Sequence, residues 1–424
     1  MDSKYISEQL ISFIEQCPSC FHTIHTVTEC LKEHGCIQLS ECEPWNLKEG
    51  HSYVVTRNNS SLIAFTIPEQ GIQKYHIVAT HSDFPSFKIK EHPDMNVENQ
   101  YVKLNIEKYG GMIQSPWFDR PLSVAGRVIT NSDSGLKEHL VNVDRNLVLI
   151  PNLAIHLNRE LNDGYKYNVQ KDLLPLLGTY DENTSFLKQI TDSLPDTEPS
   201  DVLGYDLFLY NRQRGTIWGA KEEFISAPRL DDLQCTFSAL HGYLTGAKKE
   251  AASLLCIFDN EEVGSSTRQG AASTFLTDTI ERIQWSLGMN KEEAQIALAK
   301  SFMISADNGH ALHPNYPEKS DPVNRPCLNQ GILIKYNGNQ KYCTDALTAS
   351  YFKNLCSKAN VPYQIYTNRS DIAGGSTLGN ISSCQYAVSA VDIGLPQLAM
   401  HSPYETAGVK DTAYLIQALT CFYA

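Results

Sequence analysis

Apolar residues recur along the chain with two spacings. The first 40 residues show the three- and four-residue spacing of one helical face, at Leu10, Ile14, Ile24, Val27 and Leu31. From about residue 228 helical and strand patterns alternate, which predicts helices near 232–246, 270–287 and 291–299 and strands near 253–258 and 301–305. This alternation is typical of βαβ units, in which helices cover a mostly parallel sheet.

Short segments rich in β-branched residues predict further strands. Before residue 95 these segments are "SYVVTR", "SLIAFTI" and "YHIVATHSDFPSFKIK". Later strands are predicted at "YVKLNIEKYGG", "AGRVITN" and "LVNVDRNLVLIPNL", with a helix at "DENTSFLKQITDSL". The sequence therefore predicts a mixed, mostly parallel α/β sheet flanked by helices, built from residues 1–94 and 228–424, and a β-rich domain inserted at residues 95–227.

Composition narrows the class of protein. With 424 residues and 42% hydrophobic content the chain can bury a large core, and its formal net charge of −13 argues against binding to nucleic acid or to anionic membranes. The amino terminus is too polar for a signal peptide, and no apolar run approaches the roughly 20 residues that cross a bilayer. We therefore expect a cytoplasmic protein with reduced cysteines. The C-P-S-C at Cys17–Cys20 lacks a second such pair, which favours a turn between two helices over a zinc site.

Acidic residues and histidines directly follow five apolar runs. They are His81 with Asp83, Asp231 with Asp232, Glu261 with Glu262, Asp307, and His401. Because sites in parallel α/β folds lie at the carboxyl ends of strands, these side chains are expected to converge. Two histidines and three or four carboxylates form the mixed nitrogen and oxygen set expected for zinc or a similar divalent ion, and they suffice for two ions if one carboxylate bridges.

Two pairs within this set have a predicted geometry. Neighbouring strand residues point to opposite faces, so Glu261 and Glu262 can share a site only if the backbone turns before Gly264. The pair then offers one metal ligand and one general base that moves a proton of bound water. His81 and Asp83 share a strand face, so Asp83 either accepts the second ring N–H of His81 or caps the next turn.

Longer motifs resemble the aspartyl aminopeptidase family of zinc metallopeptidases. They run in the family's order from residue 81 to 402: "HSDFPSFKIK", "GGMIQSPWFDRPLSVAGRV", "IPNLAIHLNR", "PRLDDL", "FDNEEVGSSTRQGA", "SADNGHALHPNY", "GILIKYNGNQKY", "GGSTLGN" and "DIGLPQLAMHS". The resemblance implies two zinc ions per subunit, bound by His81, Asp231, Glu262, Asp307 and His401, with Asp231 bridging. It further implies that Glu261 is the general base, that Asp83 supports His81, and that the Asp231–Asp232 peptide is cis.

The resemblance also implies substrate contacts and an assembly. His156 would enter a neighbouring subunit's active site and help stabilise the oxyanion, while Asn152 stands where relatives often have another histidine. Lys335 and Tyr342 would contact the substrate, with the ammonium as partner for an acidic side chain. Tyr404 stands where relatives often carry arginine. The insertion would be a dimerisation domain within a homododecamer whose active sites face an inner chamber.

The predicted function is a metallo-aminopeptidase that removes single amino-terminal residues, Asp or Glu, from peptides. One alternative is a neutral-residue aminopeptidase or another dinuclear amidohydrolase on the same scaffold. A self-assembling shell or binding protein without catalytic activity is the alternative from another class, and the complete set of ligand-type residues with Glu261 argues against it.

Overall fold

The structure is a computed structural model that describes residues 2–133, 135–182, 184–248 and 251–424. The chain divides into two compact units. The first contains the described residues up to Phe84, together with Gly215–Met400 and Glu405–Ala424. The second contains Pro85–Arg214 and His401–Tyr404.

The structure contains the helices near 232–246, 270–287 and 291–299 and the strands near 253–258 and 301–305 that the sequence pattern predicts. The helices are α1 (Ser3–Gln16), α2 (Cys20–Glu33), α3 (Val169–Asp172), α4 (Phe186–Thr191), α5 (Leu230–Thr245), α6 (Phe275–Ser286), α7 (Lys291–Ala299), α8 (Ala346–Ala359), α9 (Leu378–Gln385) and α10 (Asp411–Tyr423). No helix of the described residues combines the length and the apolar character needed to cross a membrane.

The strands supply three sheets. They are β1 (Ile37–Leu39), β2 (Ser52–Arg57), β3 (Ser61–Thr66), β4 (Tyr75–His81), β5 (Ser86–Val97), β6 (Tyr101–Tyr109), β7 (Leu122–Ser132), β8 (Gly135–Asn142), β9 (Leu176–Thr179), β10 (Val202–Asn211), β11 (Thr216–Trp218), β12 (Phe224–Ala227), β13 (Ala252–Phe258), β14 (Phe302–Ala306), β15 (Gly309–His310), β16 (Ile332–Tyr336), β17 (Tyr363–Thr367), β18 (Ser389–Gly394), β19 (Pro396–Leu398) and β20 (Glu405–Gly408).

The first unit is built around a nine-stranded mixed sheet of order β1-β2-β3-β13-β4-β14-β18-β16-β17. At its centre β13, β4, β14 and β18 run parallel, so their carboxyl ends meet at one edge. The fold class predicted from the sequence, a mixed α/β fold with helices flanking the sheet, is confirmed. A smaller sheet of order β11-β12-β20-β19-β15 completes the unit.

The central strands are buried on both faces, which explains their continuous apolar runs. Every residue of β4 and β13 is buried. Val78 packs into a cluster with helices α1, α5, α8 and α10, while its neighbours Ile77 and Ala79 pack into a second cluster that includes Phe275 and Ile280 of α6. Because the core holds both faces of the sheet, the strand ends are fixed in register.

The second unit is a six-stranded antiparallel sheet of order β8-β7-β10-β5-β6-β9. Its own core contains Phe87, Trp117, Leu122, Phe186 and Leu207. The insertion at residues 95–227 stays a prediction, and the compact unit contains Pro85–Arg214 together with His401–Tyr404. In this unit β5 pairs with β6 over most of its length, while β12 pairs with β20 of the first unit.

One predicted strand is largely irregular. In "LVNVDRNLVLIPNL" only the first residues belong to β8, which ends at Asn142. Val148, Leu149 and Ile150 form isolated bridges, and Val148 and Ile150 are buried in the core of the second unit. The apolar pattern there reflects packing onto that core, so the strand prediction was wrong for residues 143–153.

Candidate metal centre

His81 ends β4 and is buried at the carboxyl edge of the sheet. Its Nδ1 lies 3.0 Å from the backbone carbonyl oxygen of Asp83 and 3.4 Å from the Asp83 carboxylate. A carbonyl oxygen can only accept, so Nδ1 carries the hydrogen and, in the neutral ring, the lone pair lies on Nε2. That Nε2 lies 3.6 Å from Oδ1 of Asp231.

Asp231 and Asp232 lie in the first turn of α5, where the backbone departs from helical geometry. Asp231 has ψ of 107°, and the peptide bond between the two aspartates is cis, as the family resemblance implied. Both residues are buried. Ligand-type atoms of His81, Asp231, Asp232 and Asp307 all lie within 4.8 Å of one another.

Asp307 reaches this cluster from the carboxyl end of β14, and a buried lysine lies beside it. The Lys335 Nζ is 3.7 Å from Oδ2 of Asp307 and donates a hydrogen bond of 2.8 Å to the backbone carbonyl of Asn308. It also lies 5.6 Å from the centroid of the Tyr342 ring. Lys335 and Tyr342 are thus adjacent, and the lysine is 2% exposed.

The predicted turn at the glutamate pair is present. Asn260 has a left-handed backbone, Glu261–Val263 form one turn of 3₁₀ helix, and Gly264 has φ of 98°. The Asp83 carboxylate accepts the backbone N–H groups of Glu261 and Glu262, each at 3.1 Å. A carboxylate oxygen of Glu262 lies within 4.8 Å of one from Asp231. Asp83 therefore fixes the turn with its side chain and the His81 ring with its backbone carbonyl.

The pKa shifts in the cluster indicate that a bound cation would stabilise its ionised carboxylates. Burial raises the pKa of Asp307 to about 6, although Lys335 opposes the shift. Burial, together with nearby Asp307, raises the pKa of Glu261 to about 8 even though His81 opposes it. The pKa of Asp232 is raised well above its ordinary value, again by burial first. Burial disfavours protonated His81, yet hydrogen bonds to Asp231 and Asp83 raise its pKa overall.

A divalent metal ion fits this environment. Oδ1 of Asp232 is buried and has no hydrogen-bond partner among the described residues. Ionised carboxylates at such a site are unfavourable unless positive charge compensates them, and oxygen with imidazole nitrogen is a donor set that zinc accepts. Asp232 was recognised in the sequence only as a neighbour of Asp231, because adjacency alone does not reveal that both side chains approach one cluster.

His401 and His156 both belong to the second unit. His401 has a left-handed backbone with φ of 66°, and its Nδ1 donates to the carbonyl oxygen of Gly111. His156 is exposed in an irregular segment in which Asn152 donates two hydrogen bonds to the Asp119 carboxylate, at 2.9 and 2.7 Å. Their roles as metal ligand and as oxyanion partner stay predictions.

Comparison with known proteins identifies the family. A family profile described as "Aminopeptidase I zinc metalloprotease (M18)" matches residues 13–423. The chain belongs to the M18 family. Probable M18 family aminopeptidase 2 of Clostridium novyi (strain NT) is 44% identical over 425 residues, covering 98% of each chain. The corresponding protein of Clostridium acetobutylicum is 43% identical with the same coverage. The chain is therefore a metal-dependent aminopeptidase of a zinc metalloprotease family.

Solved M18 structures share the fold. A chain of an Ape4 and Nbr1 complex aligns with a TM-score of 0.94 at 34% identity, covering 99% of this chain and 86% of that one. The mApe1 of S. cerevisiae, described as a dodecamer, aligns with a TM-score of 0.87 at 25% identity, covering 100% and 97%. An M18 aminopeptidase from Thermotoga maritima, at 21% identity, covers 100% and 96% with a TM-score of 0.86 and adds support for the fold alone.

Proposed function

We propose that this M18 aminopeptidase releases single residues from peptide amino termini with two divalent ions and with Glu261 as general base, and that it prefers Asp or Glu at the first position. The observation that carries the proposal is the buried convergence of His81, Asp231 and Asp307 in the unit that also presents the Glu261–Glu262 turn. Hydrolysis needs a place for water, a charged group that polarises the carbonyl and a proton acceptor, and these residues provide for all three.

Two sets of residues would hold the ions. His81 and Asp307 would bind one ion, Glu262 and His401 would bind the other, and Asp231 would be shared. The two histidines support this assignment because each donates Nδ1–H to a backbone carbonyl, of Asp83 and Gly111 respectively, which leaves Nε2 as the ring's acceptor atom. Bound divalent ions of this kind polarise a substrate carbonyl and lower the pKa of water toward neutrality.

Glu261 is suited to move the proton. Asp83 fixes its backbone N–H, so the carboxylate leaves the turn from an anchored position. The charges of His81, Asp307, Asp83 and Asp231 influence the pKa of Glu261, which supports a role for its carboxylate beside the cluster. In the proposed reaction its carboxylate accepts a proton from the attacking water and then delivers that proton to the departing amine.

The acidic preference rests on Lys335 with Tyr342. A buried ammonium beside the reacting centre is a strong partner for a carboxylate, and it would favour Asp or Glu as the released residue. One observation favours the neutral-residue alternative: Lys335 already donates to the Asn308 carbonyl at 2.8 Å and lies 3.7 Å from Asp307. An ammonium that is engaged with protein oxygens has less hydrogen-bonding capacity left for a substrate.

Two measurements test the proposal together. Matched peptides beginning with Asp, Glu and Leu are hydrolysed by the zinc-loaded protein, and kcat/KM is compared; an equal or higher value for Leu would reject the acidic preference. Glu261→Gln is then assayed with its metal content measured by mass spectrometry. We expect turnover to fall by about 10² to 10⁴ with metal content unchanged. Activity within roughly tenfold of the wild type would exclude Glu261 as the base.

Assembly into a homododecamer built from dimers is part of the proposal. It is supported by the likeness to mApe1, whose structure is described as a dodecamer, and by exposed Leu153, Ile155 and Leu157 on either side of His156. If His156 acts in a neighbouring subunit, oligomers reassembled from His156→Ala and Glu261→Gln chains should regain activity that neither variant has alone. Mass determination in solution supplies the subunit number, and a failure of the mixed oligomers to regain activity would show that His156 does not act across subunits.

A further inference from the structure

We infer that Asn308, Gln234, Gln397 and Glu405 act together as positioning residues that hold the Leu230–Asp231 peptide in place and join it to the segment bearing Asp307. These four residues are called the amide network below. All four are buried, and their exposure does not exceed 2%. The inference rests on the proposed metal centre and deepens it.

Asn308 is the centre of the network. Its Nδ2 donates to the carbonyl oxygen of Leu230 at 3.0 Å, to Oε1 of Gln234 at 3.1 Å and to Oε1 of Gln397 at 2.9 Å. Its Oδ1 accepts from the Cys235 thiol at 3.2 Å and from the Leu395 N–H at 3.3 Å. Acceptors surround the nitrogen and donors face the oxygen, so the orientation of the amide group is determined by its partners.

The network reaches Asp231 from the other side through Gln397 and Glu405. Nε2 of Gln397 lies 3.5 Å from Oε1 of Glu405, and Oε2 of Glu405 accepts the backbone N–H of Asp231 at 3.0 Å. The Leu230 carbonyl and the Asp231 N–H belong to one peptide unit. Both polar groups of that unit are therefore bonded to members of one network, which fixes the plane from which the Asp231 side chain departs.

The same network fixes the spacing between two proposed ligands. Asn308 directly follows Asp307, so the hydrogen bond from Asn308 to Leu230 joins the end of β14 to the start of α5. Gln234 extends the connection into α5, where its Nε2 donates to Thr412 at 3.0 Å. Apolar side chains would fill the same space without directional bonds, and the separation of Asp231 from Asp307 would then depend on packing alone.

Metal affinity distinguishes positioning from ordinary stabilisation. Groups that orient metal ligands typically contribute about 10- to 100-fold to metal affinity or activity. Asn308→Asp keeps the side-chain shape but removes the donor to three acceptors, and Gln397→Met breaks the link to Glu405. We expect both variants to raise the dissociation constant for Zn²⁺ by about 10- to 100-fold and to lower kcat by a similar factor, with KM within about threefold.

Asn329→Asp is the matched control. Asn329 also uses both ends of its amide, donating to the Glu223 carbonyl at 2.8 Å and accepting the Lys410 N–H at 2.8 Å, and both of these partners lie outside the amide network. It should lower the melting temperature and leave Zn²⁺ affinity unchanged.

Zn²⁺ affinity is measured by competition with a chelator of known affinity, and unfolding is followed on the metal-free proteins. A dissociation constant within about twofold of the wild type in both Asn308→Asp and Gln397→Met would overturn the inference. If Asn308→Asp does not fold, the Gln397→Met value decides. If the wild-type protein binds Zn²⁺ but cleaves no peptide, the proposed function is rejected. The comparison of Zn²⁺ affinities would still test the amide network in that case.

Discussion

Asp83→Asn should lower catalytic activity much more than a comparable loss of stability elsewhere in the chain would. The Asp83 carboxylate accepts the N–H groups of Glu261 and Glu262 through different oxygens, each at 3.1 Å, and it is buried. Asn retains one acceptor oxygen but turns an NH₂ group toward the other N–H. One charge-assisted hydrogen bond is lost, and a half-buried backbone N–H is left facing an NH₂ group.

The magnitude follows from the value of that bond. A hydrogen bond to a charged group contributes about 1.5–3 kcal/mol, and a loss of about 2 kcal/mol corresponds to about thirtyfold in an equilibrium or rate ratio. The released N–H belongs to the turn that carries the proposed base and one proposed ligand. We therefore expect the lost hydrogen-bond energy to lower the catalytic rate. We predict that kcat/KM falls about 10- to 100-fold.

Asp411 offers a closely matched control. Its buried carboxylate also accepts two backbone N–H groups through separate oxygens, from Asn329 at 2.7 Å and Gly331 at 3.0 Å. Like Asp83→Asn, Asp411→Asn replaces one of two N–H acceptors by an NH₂ group, yet only Asp83→Asn should lose activity. Both are assayed at about pH 8, above the raised pKa of Asp411. If Asp83→Asn keeps kcat/KM within about threefold of the wild type, the positioning argument is refuted.

Three further outcomes are expected. Removing metal with a chelator should lower the melting temperature, and Zn²⁺ should restore it, since a ligand at 100 times its dissociation constant stabilises by about 2.7 kcal/mol; equal melting temperatures would count against a structural contribution of the metal. Burial raises the pKa of Asp411 to about 7, although two backbone N–H groups oppose the shift. Its contribution to the free energy of unfolding is therefore complete below about pH 4 and is lost as the pH rises through about 7. Asp411→Asn should remove this pH dependence from the stability measured by denaturant unfolding. Gly394→Ala should reduce stability and activity, because its Cβ would lie 1.8 Å from the Asp307 carbonyl oxygen, whereas Gly338→Ala, with no atom within 4 Å of the new Cβ, should have little effect.

The sequence predicted the parts of this protein that rest on local pattern. Residues ending buried strands converge as expected at His81 and Asp307, and the turn required by adjacent glutamates is present. The family and the enzyme class are confirmed. The acidic preference, the cytoplasmic location and the use of two zinc ions stay predictions.

Other features could not be predicted because they depend on contacts between distant residues. Asn308, Gln234, Gln397 and Glu405 have no shared spacing, and their polar side chains come together only when β14, β19 and α5 are assembled. Asp83 was expected to support His81 with its carboxylate or to cap a turn. In the structure the carboxylate accepts two N–H groups of the turn after β13 and also lies 3.4 Å from Nδ1 of His81, while the backbone carbonyl lies nearer to that nitrogen, at 3.0 Å. The pairing of the strands determines these contacts of Asp83.

The position of β13 between β3 and β4 has a consequence for synthesis of the chain. β3 and β4 leave the ribosome first, and the inserted unit is translated before β13 is available to separate them. Until then both strands have open edges, which are templates for association between chains. Fragments that end before Ala252 are therefore expected to aggregate, and nascent chains of this enzyme should need protection by chaperones until the central strand is inserted.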